Sequence, residues 1–294
     1  MLMENPAGMA IGRPLAIEAA KLSARASERE QAFCWAVASW AEGRWLRTIE
    51  LHRQIAESHP TDLVALKLGH YHLFNQGNFP GMVRLAQPSL DALPEAPYLR
   101  GMAAFAYEQC HLLDRAEREA RRAMEIEPTD AWAHHALAHV MDTQGRLLEA
   151  RAFLMGRTAD WEGCNSFMLT HNWWHLALAE LDLERGGTAL DLYDRRVWGV
   201  WKEYSQDQVG AVALLARLEL RGVEVGDRWA ELGPYLKPRA GDVVQPFLSL
   251  HYLYGLTRAG LTEADILAGA IEARGETVHT SLRPAWREVA APMA

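Results

Sequence analysis

Cysteine is scarce in this chain, and its spacing excludes two kinds of small domain. The 294 residues contain three cysteines, Cys34, Cys110 and Cys164, an odd number without a CxxC motif. This pattern excludes a disulfide framework and argues against a cysteine zinc module. Because free cysteines are typical of a reducing compartment, we expect a cytoplasmic protein.

Long apolar runs and an excess of basic residues are also missing. No segment reaches about 18 uninterrupted apolar residues, and the N-terminal segment lacks an apolar run followed by a small-residue cleavage site. We therefore expect a soluble, unexported protein with no membrane partner. The 38 acidic and 30 basic residues give a net charge of −8, which provides no basic surface for nucleic acid.

What the sequence does contain is a repeat. The tripeptide PTD begins at Pro60 and again at Pro128, a separation of 68 residues, which is twice the 34-residue period of tetratricopeptide repeats. Small residues such as Ala104, Ala116 and Ala120 lie where a helical hairpin needs close packing. At least five helical hairpins and no convincing strand can be read along the chain. We predict an all-α fold, a tetratricopeptide-like helical-hairpin solenoid.

This solenoid is predicted to be one domain over residues 1–294. Residues 1–30 are expected to form an N-terminal helical cap, residues 31–260 the repeats, and residues 261–294 a C-terminal cap. Solenoids with uncovered terminal helices often pair, so a homodimer is among the expected partners.

Histidine and carboxylate side chains recur at fixed positions of the predicted repeats. With repeat starts at Asp62, Pro97, Ala131 and Phe167, positions 5, 9 and 12 share one face of the first helix of each hairpin and point into the groove. The ionisable residues at those positions are His70, Glu108, His135, His139, Asp142, His171 and His175. Since packed helices lie roughly 8 to 10 Å apart, we expect the four paired imidazoles to reach one small volume.

Three segments, DAWAHHALAHVMDTQG, THNWWHLALAELDLERGG and ALDLYDRR, resemble the tetratricopeptide repeat protein 38 family, including its bacterial members. The resemblance runs over about residues 32–260. The family pattern Trp-x-x-His-x-x-x-His, followed three residues later by an acidic residue, is matched by Trp132, His135, His139 and Asp142. Its His-Asn-x-Trp-His segment is matched by His171, Asn172, Trp174 and His175.

The same resemblance marks further positions, namely His70, Glu108, Tyr193, Asp194 and His251. It implies a helical repeat fold but no particular reaction, cofactor or substrate. Two departures from the family pattern, at Asp142 and around Gly210, leave room for a specialised member.

An inner groove with imidazoles and carboxylates supports the hypothesis of a small-molecule enzyme. Histidine exchanges protons near neutral pH, so one imidazole could act as a base and another as an acid on a small polar metabolite. The predicted catalytic residues are Glu108, His135, His139, His171 and His175. The predicted substrate-binding residues are His70, Asn172, Trp174, Asp194 and His251, with the Asn172 amide donating to a developing oxyanion. A hydrolase or a lyase is the first class to test.

Two HxxxH pairs on neighbouring helices also resemble the way helical bundles present ligands to divalent ions. The predicted metal ligands are His135, His139, Asp142, His171 and His175. Zinc, iron or manganese fits this donor set, and a bound ion would polarise a substrate or produce hydroxide. The chain lacks the HExxH motif, so acid–base chemistry without metal stays open.

The alternative is a tetratricopeptide scaffold or peptide-binding module without catalysis, which is the commonest use of this architecture. Recognition of an acidic peptide tail would need Lys, Arg and Asn at inner positions that here hold His, Glu, Asp and aromatic residues. That composition disfavours a carboxylate clamp but leaves other peptides open. The groove residues favour the enzyme slightly.

Overall fold

The computed structural model describes residues 4–294, and within that range it contains fifteen helices of seven residues or more and no strand. The helices are α1 (Pro6–Leu22), α2 (Glu28–Ala41), α3 (Trp45–Ser58), α4 (Leu63–Asn75), α5 (Phe79–Ala92), α6 (Leu99–Gln109), α7 (Leu113–Ile126), α8 (Ala131–Thr143), α9 (Leu147–Met155), α10 (Ser166–Asp182), α11 (Gly186–Leu192), α12 (Ser205–Leu220), α13 (Arg228–Leu236), α14 (Pro246–Arg258) and α15 (Glu263–Thr277). From α2 onward they form successive helical hairpins. The predicted all-α, tetratricopeptide-like solenoid is confirmed.

Aspartate side chains begin two of the first helices of these hairpins. The Asp62 carboxylate accepts a hydrogen bond from the Ala65 amide at 3.0 Å. The Asp130 carboxylate accepts from the amides of Trp132 and Ala133 at 3.0 and 3.1 Å. Both aspartates are the last residue of a PTD tripeptide, so the repeated tripeptide marks helix N-caps, where a short acceptor satisfies otherwise unpaired amides.

Left-handed residues separate the two helices of each hairpin. Gly43, Gly77, His111 and Gly145 have φ values of 73°, 65°, 55° and 70°, and each follows the previous one by 34 residues. A left-handed residue just after a helix closes its last turn and reverses the chain. Glycine adopts this conformation without a steric penalty, which explains why it occupies three of the four positions.

The chain divides into two compact units, and each is described by itself: unit 2 comprises residues 12–162, and unit 1 comprises residues 1–11 together with 163–294. Alanines allow close helix packing in unit 2. Ala104, Ala120 and Ala136 are fully buried beside Leu137 and Met141. The predicted small-residue positions therefore form part of its core.

Unit 1 keeps the hairpin plan with a longer and less regular spacing. Its left-handed residues Glu184, Gly222 and Gly260 are 38 residues apart. The second helix of its first hairpin, α11, has only 7 residues and continues as a π-helical segment, Tyr193–Val197. A β-carbon at Gly255 of α14 would lie 2.4 Å from the Leu236 side chain, so α13 and α14 meet where glycine is required.

The expected caps agree with helix boundaries only approximately. The N-terminal cap, residues 1–30, holds α1 and the start of α2, while its residues 1–3 lie outside the described residues. The C-terminal cap, residues 261–294, holds α15 and the last short turns. The single domain stays a prediction. Among residues 4–294, no helix has both the length and the apolar character needed to cross a membrane.

Candidate functional site

The first histidine pair lies on α8 in unit 2. His135 and His139 are one helical turn apart, and their Nε2 atoms are 3.0 Å from each other. His135 is 3% exposed, whereas the side chain of His139 is 28% exposed. The i,i+4 spacing predicted this contact, because side chains four residues apart share one helix face.

Glu108, in the last turn of α6, faces this pair. Its Oε1 atom lies 3.6 Å from His139 Nδ1, and its Oε2 atom accepts a hydrogen bond of 2.6 Å from the Gln109 side chain. The Glu108 side chain is only 8% exposed. The carboxylate therefore favours a proton on Nδ1 of His139, which directs the Nε2 atom of that ring towards His135.

Aromatic side chains of α4, α6 and α8 continue from the histidine pair. The rings of Phe74, Phe105, Trp132, His135 and His139, here called the aromatic row, follow one another across these three helices. The Phe105 ring centre lies 5.4 Å from those of Phe74 and His135, and 6.2 Å from that of Trp132. Phe74 is 42% exposed. Three successive hairpins of unit 2 thus present neighbouring rings.

A lysine contacts the aromatic row at Trp132. The Lys67 ammonium lies 3.6 Å from the centre of the indole ring. Burial lowers the pKa of Lys67 to about 8, and the Asp130 carboxylate opposes that shift. The indole face in this unit is therefore already a cation-binding surface.

The second histidine pair lies on α10 in unit 1. The Nε2 atoms of His171 and His175 are 3.3 Å apart, again one helical turn along the chain. Trp174 stacks on His171 with ring centres 5.5 Å apart and planes 11° apart, and the Arg217 guanidinium lies 5.2 Å from the indole ring. The local geometry of the α8 pair is therefore repeated.

Asn172 does not face the groove, as had been expected. It is 0% exposed, and its Nδ2 atom donates to the Met168 carbonyl oxygen of the same helix at 3.0 Å. A side-chain amide used within its own helix is not aimed at a developing oxyanion. The structure thus places Asn172 in the core of unit 1 instead of at a substrate.

His70 is also a core residue, and its predicted repeat position was wrong. It is 4% exposed, its Nε2 atom lies 3.0 Å from the Met82 carbonyl oxygen, and burial lowers its pKa to about 3. His70 stands seven residues before its left-handed turn residue, as do the buried residues Ala104 and Ala138. The turns therefore align His70 with core alanines and not with His139.

Three further predicted residues lie apart from the α8 pair within their own units. Asp194 forms a two-hydrogen-bond ion pair with Arg228, at 2.8 and 2.6 Å. His251 Nδ1 lies 2.7 Å from the Phe247 carbonyl oxygen, and burial lowers the pKa of His251. Asp142 is exposed in the last turn of α8.

Sequence reasoning missed a second buried histidine contact in unit 2. His52 of α3 and His72 of α4 stack with ring centres 5.4 Å apart, and both are 1% exposed. The ring of Trp40 packs against His72 at 4.8 Å. Burial lowers the pKa of His52 to about 4 and that of His72 to about 3. No spacing rule connects these residues, because they lie on different helices outside the predicted groove register.

Comparison with known proteins supports the repeat class but no narrower family. No protein-family model matches the chain. A segment of 135 residues is 27% identical to the TPR repeat-containing thioredoxin TTL4 of Arabidopsis thaliana, which covers 45% of this chain and 20% of that protein. The chain thus spans about a fifth of the curated relative that it matches.

Two solved structures are similar at low sequence identity. The APC/C hetero-tetramer Cut9–Hcn1 matches with a TM-score of 0.45 and 13% identity, over 96% of this chain and 56% of that one. The structure of Naa15/Naa10 bound to HypK-THB matches with a TM-score of 0.35 and 16% identity, over 91% and 44% of the two chains.

These comparisons contradict the hypothesis of a hydrolase or lyase acting on a small polar metabolite. The sequence match is to a repeat-containing protein, and the two structures are, by their titles, protein complexes. The metal-dependent reaction pocket proposed with that enzyme is corrected on the same grounds. The alternative, a tetratricopeptide scaffold or peptide-binding module, agrees better with these matches. Ion binding by the histidine pairs without catalysis stays a prediction.

Proposed function

We propose that the chain is a protein-binding scaffold in which the first helices of the unit 2 hairpins hold a segment of a partner protein. The observation that supports this proposal is the aromatic row. Phe74, Phe105 and Trp132 come from three successive hairpins, yet their ring centres are 5.4 and 6.2 Å apart. Neighbouring rings on repeated helices form the kind of extended surface that repeat proteins use for binding.

The composition of this surface favours a particular kind of segment. Aromatic rings contribute large apolar contacts at protein interfaces, and Phe74 is 42% exposed at the end of the row. The whole chain carries a net charge of −8, and Glu108 adds a carboxylate beside the row. A partner segment that combines apolar side chains with Lys or Arg therefore complements the row better than an acidic tail does.

The predicted site residues keep a place in this proposal, with binding roles in place of catalytic ones. Glu108, His135 and His139 border the aromatic row in unit 2, and His171 and His175 form the matching pair in unit 1. The residue pattern around these pairs also supports membership in the tetratricopeptide repeat protein 38 family. A structure of an established family member with both imidazole pairs at matching positions would test that assignment.

A reducing compartment, such as the cytoplasm, is part of the same proposal. Cys34, Cys110 and Cys164 are all free and partly exposed. A thiol titration of protein isolated under alkylating conditions tests this point, with three free thiols expected.

Crosslinking in the source cells, followed by binding measurements with the purified partner, tests the scaffold. Phe74→Ala is expected to weaken binding at least about tenfold, since removing an aromatic anchor from an interface typically costs about 1 kcal/mol or more. Leu148→Ala is the matched control, because Leu148 is 67% exposed on α9, a second helix of a hairpin. Wild-type affinity in both variants would contradict the proposed surface. The absence of any directly binding protein would contradict the scaffold itself.

A further inference from the structure

The geometry points to a divalent transition-metal site on α8, with His135 and His139 as ligands through Nε2 and Glu108 as the positioning residue for His139. This inference goes beyond the scaffold proposal and does not involve catalysis. It rests on the arrangement of three side chains within unit 2.

The distance between the two imidazoles suits a shared ion. Zinc–nitrogen bonds are about 2.0 to 2.1 Å, so two nitrogen ligands of one ion lie about 2.9 Å apart at a right angle and about 3.3 Å apart at the tetrahedral angle. The Nε2 atoms of His135 and His139 are 3.0 Å apart, which falls within this range. The α10 pair, His171 and His175, has the same spacing in sequence and a separation of 3.3 Å.

Glu108 supplies the outer partner that metal-binding histidines usually have. A ligating imidazole generally gives its other ring N–H to a carboxylate or carbonyl group, which fixes the tautomer and raises ligand basicity. Glu108 Oε1 lies 3.6 Å from His139 Nδ1, on the opposite side of the ring from His135. Glu108 therefore acts through His139 and does not need to contact the ion.

The surroundings favour retention of a bound ion and restrict its type. The Phe105 ring lies 5.4 Å from that of His135 and 6.1 Å from that of His139, and the Trp132 ring meets His135 edge-on at 5.5 Å. The partly exposed His139 leaves one approach from solvent. Imidazole donors select zinc, copper, nickel, cobalt or ferrous ions over magnesium and calcium.

The competing explanation is an ordinary hydrogen bond between two neutral imidazoles. One Nε2 atom would then carry the proton and the other would accept it, at the same 3.0 Å separation. This explanation predicts no affinity for zinc above that of surface histidines. The two explanations therefore differ in a measurable quantity.

Calorimetric titration of tag-free, chelator-treated full chain with ZnCl₂ distinguishes them. Wild type is expected to bind zinc at micromolar concentration or below and to ignore MgCl₂. His139→Ala is expected to weaken zinc binding at least about 100-fold, because two-point chelation is lost. His111→Asn is the matched control, since His111 is an exposed histidine in the same unit and asparagine tolerates its left-handed backbone.

Glu108→Gln tests the positioning role separately. It is expected to weaken zinc binding about 10- to 100-fold without abolishing it, while the visible spectrum of bound Co²⁺ keeps its band shape because the ligands are unchanged. Zinc affinity that is equal in wild type and Glu108→Gln would contradict the positioning role.

Two results would overturn the metal site itself. One is zinc binding by wild type that is no tighter than that of His139→Ala. The other, which requires no variant to fold, is an X-ray absorption spectrum of the zinc-loaded wild type without imidazole scattering. The titration also tests the sequence-based prediction of one ion for both pairs: one ion per chain, lost in His139→Ala and in His175→Ala, supports it, and two ions, of which each variant loses one, contradict it while leaving the α8 site in place.

Discussion

Acidification from pH 7 to pH 5 is expected to destabilise the hairpins of unit 2 that contain His52 and His72. Burial lowers the pKa of His52 to about 4, against the opposing charge of Asp62, and that of His72 to about 3. In the unfolded chain both imidazoles return to a pKa of about 6.5. Below that pH the unfolded state binds more protons than the folded state, so stability is complete above about pH 6.5 and is lost as the pH falls towards 4.

The size of the effect follows from the gap between the two pKa values. At pH 5 the unfolded chain has gained its protons over about 1.5 pH units while the folded chain has not, and each unit is worth about 1.4 kcal/mol per group. Each imidazole therefore costs about 2 kcal/mol, and the pair about 4 kcal/mol. That is a large part of the 5 to 15 kcal/mol that holds an ordinary domain together.

Hydrogen exchange of peptides from α3 and α4, measured at pH 7 and pH 5 and corrected for the intrinsic exchange rate, is the assay. Wild type should lose protection in these helices at pH 5, and His52→Leu should lose about half as much. His59→Gln is the control, because His59 is exposed at the end of α3 and should behave as wild type. Equal protection at the two pH values in wild type, or an unchanged pH effect in His52→Leu, would refute the reasoning.

Three further substitutions test the packing and the helix starts. Gly255→Ala places a methyl group 2.4 Å from Leu236 and 2.9 Å from Val212, so the free energy of unfolding should fall by about 1 to 3 kcal/mol in urea titrations. Gly210→Ala in α12 meets nothing within 4 Å and should be neutral or stabilising by up to about 1 kcal/mol, and a loss like that of Gly255→Ala would contradict the packing argument. Asp130→Ala removes a fully buried N-cap and should lower the thermal midpoint of unit 2, with a cost of about 1 to 2 kcal/mol; an unchanged midpoint would show that the cap contributes little.

The sequence predicted the hairpin plan well because its signals are local. The PTD tripeptides carry the N-cap aspartates, and glycines such as Gly77 and Gly145 occupy the left-handed turns. A helix cap and a turn each depend on a few neighbouring residues, so a single chain displays them. The contact between His135 and His139 is also local, since it needs only one helical turn.

Prediction failed where a side chain's direction depends on another hairpin element. His70 was aligned with His139 by an assumed repeat start, whereas the left-handed turns shift it by one residue onto a core position facing Met82. The stacking of His52 on His72 joins two helices, and no residue pattern specifies which imidazoles meet across such an interface. One residue on a helix rotates a side chain by about 100°, which is enough to move it from a surface into the core.

The equal phase of the turns at Gly43, Gly77, His111 and Gly145 has a consequence for how this array changes in length. A segment taken from one turn to the next begins and ends with the same backbone conformation, so duplicating or deleting it rejoins the chain without rotating the helices that follow. Unit 2 can therefore grow or shrink by whole hairpins through recombination. A junction made with the 38-residue spacing of unit 1 would add four residues, about one extra helical turn, and the transplanted hairpin would have to accommodate it.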